Sequence, residues 1–148
     1  MYNAIHLYRV AHWLYLHHVP FLPKLITLLI FLMYNSKIHY STEIGRGTTL
    51  AYGGMSVLIH NRCKIGKNCS IGVHVVLGGG NHRYPGVPTL GDNVSLKANA
   101  IVYGGVTIGD NAIVGANSVV NCDIPAGEIW AGSPARFIRK NDPNIKSH

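Results

Sequence analysis

Acidic residues are scarce: the 148-residue chain holds 6 Asp and Glu against 13 Lys and Arg, a formal net charge of +7. That balance argues for anionic partners, which the charge alone leaves open between nucleic acid, an acidic membrane surface and a phosphorylated cofactor. The basic residues are scattered, with no dense run and no reading motif, which disfavours nucleic acid. Cysteines number three (Cys63, Cys69, Cys122), and none sits in a CxxC spacing, so neither a disulfide framework nor a zinc ribbon is suggested. A reducing, cytoplasmic setting is the expectation, and the opening MYNAIHLYRV gives no sign of a secretory leader. No long hydrophobic run is present either. The longest, Leu25 to Met33, is about half of the roughly 20 residues that a bilayer-crossing helix needs. What remains, 47% hydrophobic and 13% charged residues, is the composition of one globular domain.

The first 36 residues read as a helical segment. From Tyr2 to His18, Leu7, Val10, Ala11 and Leu14 recur at helical spacing, which predicts an amphipathic helix ending before Pro20 and Pro23; Lys24 to Tyr34 predicts a second, more apolar one. Helices this apolar must bury a face on a neighbouring subunit, on the rest of the chain or at a membrane interface, so contact with the inner face of the membrane is kept as an expectation.

From residue 37 to 126 the pattern changes to a period of six. Aliphatic residues fall at Ile38, Ile44 and Leu50, at Ile59, Ile65, Ile71 and Leu77, and at Leu90, Leu96, Val102, Ile108, Val114 and Val120, thirteen hexads broken twice. Four places after most of them comes a small or β-branched residue, Cys63 and Cys69 among them, whose expected role is packing. Three places after, in most hexads, comes Asn or Gly (Gly47, Gly53, Asn68, Asn93, Asn99, Gly105, Asn111, Asn117), residues that tolerate positive φ. Each hexad therefore predicts a short strand and a tight corner, three hexads a triangular coil, and stacked coils a solenoid with about 4.8 Å between rungs. Residues 127–148 are left as a cap and tail.

The two breaks matter because a solenoid interior has no room for surplus residues, which must bulge out at corners. The first adds three residues around Gly54, Met55 and Ser56. The second adds seven and forms the segment GGGNHRYPGVP, a loop over residues 78–89. The register sets Gly78 one rung above His60, so His60 is expected at the foot of the loop that carries His82.

YRVAHWLY (Tyr8 to Tyr15), IGRG (Ile44 to Gly47), LGGG (Leu77 to Gly80) and AGSPAR (Ala131 to Arg136) together resemble the hexapeptide-repeat acyltransferases, and specifically the serine acetyltransferases, over nearly the whole chain. The resemblance implies a left-handed parallel β-helix, a homotrimer with sites between subunits, and acetyl-CoA lying between two helices as the co-substrate. It also has gaps. The family carries an aspartate before its IHP motif and an Asp-His pair after IGRG, where this chain has Lys37, Ala51 and Tyr52. Since those acidic residues are expected to hold the ammonium group of serine, the acceptor is expected to be a sugar hydroxyl. The setting would then be bacterial surface polysaccharide biosynthesis, as in shortened relatives that acetylate sugars. Serine O-acetylation in cysteine biosynthesis and a non-catalytic trimeric scaffold are the alternatives.

Acetyl transfer from a thioester needs a base for the attacking hydroxyl, donors for the oxyanion and alignment of two substrates. Histidine suits the first task. His82 is the expected base and His60 a second base or orienting partner; Tyr52, Asn81 and Arg83 are expected to bind the acceptor. Cofactor contacts are expected from Gly79, Lys97, Ala98, Ala116, Gly132, Ala135, Arg136 and Lys140, with Arg139 as a further phosphate candidate. His74 falls on a corner position and is read as a corner residue. A zinc hydratase resembling the γ-class carbonic anhydrases would use three interface histidines, two of them five apart; His74 and His82 are eight apart, and no metal is expected.

Overall fold

The computed structural model describes residues 2–142 and Asn144; Pro143 and residues 145–148 of the tail lie outside the described residues. Two helices come first, α1 (Ala4–Leu16) and α2 (Leu22–Tyr34). The Asn3 side chain caps α1 by accepting from Ile5 N–H at 3.0 Å, and its amide donates to the Leu50 carbonyl at 2.9 Å, which ties the helix start to the first coil. The buried stripe of α1 is Ala4, Ile5, Tyr8 and Ala11, whereas Val10, expected inside, is 52% exposed. The rotation follows from polar anchors that an apolar count ignores. The buried Tyr8 hydroxyl donates to the Thr42 carbonyl, and the Arg9 guanidinium clamps the carbonyls of Ile44 and Gly45 at 2.5 Å each. Burial pushes the Tyr8 phenol up to about 12, against the opposing pull of Arg9, so it stays a donor. Helix α2 starts at Leu22, two residues before the expected Lys24, because Pro23 fits the first turn of a helix rather than preceding it.

The solenoid that follows is the left-handed parallel β-helix, of about four turns. Its first face stacks Lys37–Ile38, Leu58–Ile59, Val76–Gly78, Ile101–Tyr103 and Val119–Val120; the second stacks Glu43–Ile44, Lys64–Ile65, Thr89–Leu90 and Thr107–Ile108. The third stacks Thr49–Leu50, Ser70–Ile71, Ser95–Leu96, Ile113–Val114 and Glu128–Gly132, and Ala135–Lys140 then turns back antiparallel as a cap. Register puts the hexad aliphatics into three inward columns. Ile38, Ile59, Leu77, Val102 and Val120 form the first; the second is Ile44, Ile65, Leu90 and Ile108; Leu50, Ile71, Leu96 and Val114 continue into Trp130. All thirteen aliphatics are buried, as are Cys63 and Cys69 in the small column. Burial raises both thiols, Cys63 to about 11, so neither offers a thiolate near neutrality.

The three edges of the prism turn differently. On the second-to-third edge Gly47, Asn68, Asn93 and Asn111 take positive φ, and on the third-to-first edge Gly53, His74, Asn99 and Asn117 do, with His74 at 59° as the corner residue expected. The first-to-second edge instead uses wider turns, closed by Thr42 N–H to the His39 carbonyl (3.1 Å) and Cys63 N–H to the His60 carbonyl (3.0 Å). There Gly104, at φ 81°, takes the left-handed corner expected at Gly105, because the strand runs on to Tyr103 and pairs it with Gly78. The first break seats α1. Gly54, at φ 85°, has room for no Cβ, which would stand 2.9 Å from both Ala4 Cβ and Leu50 Cδ1.

One inward side chain lacks a partner among the described residues: the Thr42 hydroxyl, fully buried in the small column. Valine has the same shape without the orphaned group. Thr42→Val is expected to raise stability by about 1 kcal/mol, the usual cost of an unsatisfied hydroxyl, read as a higher thermal midpoint; a lower midpoint would contradict this account of the column.

Candidate active site

The first-to-second edge carries the chemistry-bearing residues. Because Ile38 pairs with Ile59 and Ile59 with Leu77, the residues after them, His39, His60 and Gly78, stack on successive rungs at the mouth of the long loop. The ring of His60 is half-buried, and its Nδ1 accepts the backbone N–H of Arg62 at 3.1 Å. A backbone N–H can only donate, so Nδ1 is unprotonated and the neutral ring carries its proton on Nε2. That Nε2 edge faces the foot of the loop: a Cβ on Gly79 would stand 3.5 Å from Nε2 and 3.4 Å from Cδ2. His60 therefore presents a hydrogen-bond donor, which suits an oxyanion or an acceptor oxygen rather than the removal of a proton.

His39, missed in the sequence reading, repeats the arrangement one rung below. Its Nδ1 accepts Ser41 N–H at 3.2 Å and lies 2.7 Å from Ser41 Oγ. Burial, with a smaller push from the Lys37 charge, lowers its pKa below the usual histidine value. The signal was present in the chain as Ile-His four residues before a small inward residue, in IHYST (38–42) and again in IHNRC (59–63).

The loop itself is built on its own backbone. Gly80 N–H donates to the Gly86 carbonyl at 2.8 Å, and Asn81 Oδ1 accepts from Arg83 and Tyr84 N–H at 2.9 and 3.1 Å. The Asn81 carbonyl oxygen is thereby committed to the loop, leaving only its amide for an acceptor. Tyr84 packs edge-on against Tyr103 at 5.6 Å, Arg83 lies over the Tyr84 ring at 5.7 Å, and Gly105 N–H donates to the Pro85 carbonyl at 2.7 Å. These contacts draw the loop toward the rung above, away from His60. The expected meeting of the two histidines is thus loosened: His82 is exposed and, among the described residues, makes no hydrogen bond. Its ring nitrogens are free to act.

The residues expected to hold the cofactor stand elsewhere. Lys97, Ala98, Ala116 and the hairpin turn from Gly132 to Ala135 stack along the third-to-first edge, with Asn117 N–H on the Ala98 carbonyl at 3.0 Å and Gly132 N–H on Ser118 Oγ at 3.1 Å. Tyr52, 77% exposed, lies at the bottom of the same edge, and Arg136 leaves its top. Small side chains leave this edge open to a long ligand, and Lys97 and Arg136 supply exposed positive charge beside it, so the donor set fits an anionic, arm-like cofactor. Ala135 itself is buried under the turn. Lys140 and Arg139 are carried back by the hairpin to pair with Glu128 and Ile129, at the far side of the third face. Gly79 belongs with His60. The first face separates the two groups: its strand Ile101–Tyr103 runs between the corner at Asn99 on one side and the corner at Gly104 on the other, and its three residues alone span roughly 10 Å. One chain holds two half-sites and joins neither to the other. Among the described residues no three His, Cys, Asp or Glu side chains of one chain converge.

Residues 88–122 match the family model of the bacterial transferase hexapeptide (six repeats). The chain is 37% identical over 145 residues to the serine acetyltransferase of Synechococcus elongatus, covering 97% of this chain and 59% of that protein. It is 36% identical over 140 residues to that of Helicobacter pylori, covering 94% of this chain and 81% of the relative. A solved serine acetyltransferase in complex with CoA superposes with a TM-score of 0.81 at 29% identity, over 91% of this chain and 55% of that one. The chain thus spans little more than half the length of several relatives it matches. Repeat, strand register and identity along nearly its whole length place this chain in the serine acetyltransferase family of hexapeptide-repeat proteins.

Proposed function

We propose that the protein is an acetyl-CoA-dependent O-acetyltransferase whose working site forms where the histidine edge of one copy meets the open edge of another, in a homotrimer. The observation that carries this reading is the separation of the two half-sites by a full face of the prism, within a family whose solved members include a CoA complex. Acetyl-CoA supplies the acetyl group as a thioester. Lys97, Arg136 and the small residues Ala98, Ala116 and Gly132 would hold it along their edge. His82, on the partner loop, takes the proton of the acceptor hydroxyl and returns it to the departing thiolate. The Nε2–H of His60 steadies the oxygen on which negative charge develops.

The relatives' names speak for L-serine as the acceptor, ahead of the sugar hydroxyl expected from the sequence, and no comparison supports a place in polysaccharide biosynthesis. The sugar is kept as a second reading on one specific ground: Lys37, Ala51 and Tyr52 stand where the family resemblance calls for acidic and histidine side chains. A CoA-release assay with L-serine and with neutral sugars decides between them. Acceptor-dependent turnover with either is expected, and its absence with both would leave the scaffold reading.

Substitution separates the histidine roles. His82→Ala is expected to lower turnover by about two to four powers of ten, as for loss of a general base. His60→Gln keeps an N–H donor and should stay within about tenfold of wild type, while His60→Ala should lose about a hundredfold or more. Wild-type rates for His82→Ala together with a dead His60→Gln would exchange the assignments.

A further inference from the structure

Below the loop, on the first-to-second edge, lies a cleft of about 320 Å³ lined by Lys37, His39, Leu58, Ile59, His60 and Asn61. Every polar side chain in it offers a proton. Both histidines give Nδ1 to a backbone N–H and so carry their protons on Nε2, Lys37 can only donate, and Asn61 contributes an amide. No carboxylate lines the cleft, and its floor is apolar. Donors that outnumber the one side-chain acceptor, the Asn61 amide oxygen, and that sit on an apolar floor suit a group made only of acceptor oxygens, a charged one above all. We infer that Lys37 and the Nε2–H of His39, one rung below His60 in this cleft, bind an oxyanion, a carboxylate or phosphate carried by the acceptor, so that the acceptor is selected by its acid group and not by an amine, while the His60 Nε2–H is left to the reacting oxygen. This rests on the acetyltransferase reading above, and it holds for serine as for an acidic sugar. An ammonium group would meet the positive charge of Lys37 here and no carboxylate to offset it.

The test compares acceptors that differ in one group. With wild-type protein, 3-hydroxypropanoate, which has the acid and the hydroxyl of serine without the amine, is expected to match L-serine in kcat/KM and to exceed serinol, which has the amine without the acid, by about tenfold or more. Glucose 6-phosphate and glucuronate against glucose distinguish phosphate from carboxylate and sugar from hydroxy acid. Lys37→Gln is expected to raise KM for the acidic acceptors by about 10- to 100-fold with kcat little changed. Equal use of serinol and 3-hydroxypropanoate, or an unchanged KM in Lys37→Gln, overturns the inference. A second readout does not depend on turnover: titration of the full-length protein with 3-hydroxypropanoate or inorganic phosphate should shift the ring signals of His39 and His60 in NMR. Shifts without turnover would sink the acetyltransferase reading and keep the cleft; turnover without shifts would do the reverse.

A different observation carries a second inference. Helix α2 buries Pro23, Ile26 and Ile30, yet Leu25, Leu28, Leu29, Phe31, Leu32 and Met33 on its outer side are 40–67% exposed. Such a continuous apolar face marks an interaction surface. No Asp or Glu occurs before Glu43, and Lys24 and Lys37 border a groove floored by Leu28 and Phe31, with exposed Trp13 and Phe21 nearby in the chain. At 13 residues the helix is too short to cross a bilayer. Self-association through this face would set lysine against lysine without a compensating acid. We infer that α2 lies on an anionic lipid surface, leucines inward and Lys24 toward the head groups. Co-sedimentation should show binding to phosphatidylglycerol-containing vesicles, weak binding to pure phosphatidylcholine, and about tenfold weaker binding for Leu28→Glu/Leu32→Glu with its thermal midpoint retained. Failure of the wild type to bind anionic vesicles at low salt overturns this, as does dissociation of the oligomer in the variant without any loss of vesicle binding.

Discussion

Everything in this molecule depends on how little space a triangular coil encloses. Each six-residue side admits one aliphatic and one small side chain, and the register holds Ile38, Ile59, Leu77, Val102 and Val120 in one unbroken column. A residue that does not fit must leave at an edge, because displacing the column would break several rungs of backbone pairing at once. The two places where residues leave are the seat of α1 at Gly54 and the histidine-bearing loop after Gly78. The constraint that builds the core thus also builds the site.

The same constraint decides which parts of the structure the sequence discloses. Period six exposes the inward columns directly, and counting hexads by threes assigns each corner to an edge. That Lys97 and Ala116 fall on a different edge from His60 was therefore available in the spacing, and the strand register shows a whole face standing between them. What spacing does not carry is anything set by hydrogen bonds. The rotation of α1 follows Tyr8 and Arg9 and not the leucine count. The shift of the left-handed corner from Gly105 to Gly104 follows one extra paired residue at Tyr103. The bending of the loop away from His60 follows Asn81 Oδ1 and the Pro85 carbonyl.

Protonation shows the limit most clearly. His60 and His82 are equal as letters, but the Arg62 N–H leaves the first with its proton on Nε2, while the second has neither ring nitrogen engaged among the described residues. The two proposed roles, donor for His60 and base for His82, differ through a backbone amide two residues along the chain from His60. His39, overlooked because Ile-His reads as an ordinary hexad start, is made visible by the same turn repeated one rung below.

The account stands on two edges of different copies making one site, and mixed assemblies test that most directly. His82→Ala damages the loop edge alone and Ala116→Glu the open edge alone, so each pure protein should be inactive. Random co-assembly of the two should restore about one quarter of the wild-type rate, because some interfaces then pair an intact loop with an intact open edge. Mixed oligomers that form and stay silent would contradict the account, as would a monomer that turns over at the full rate.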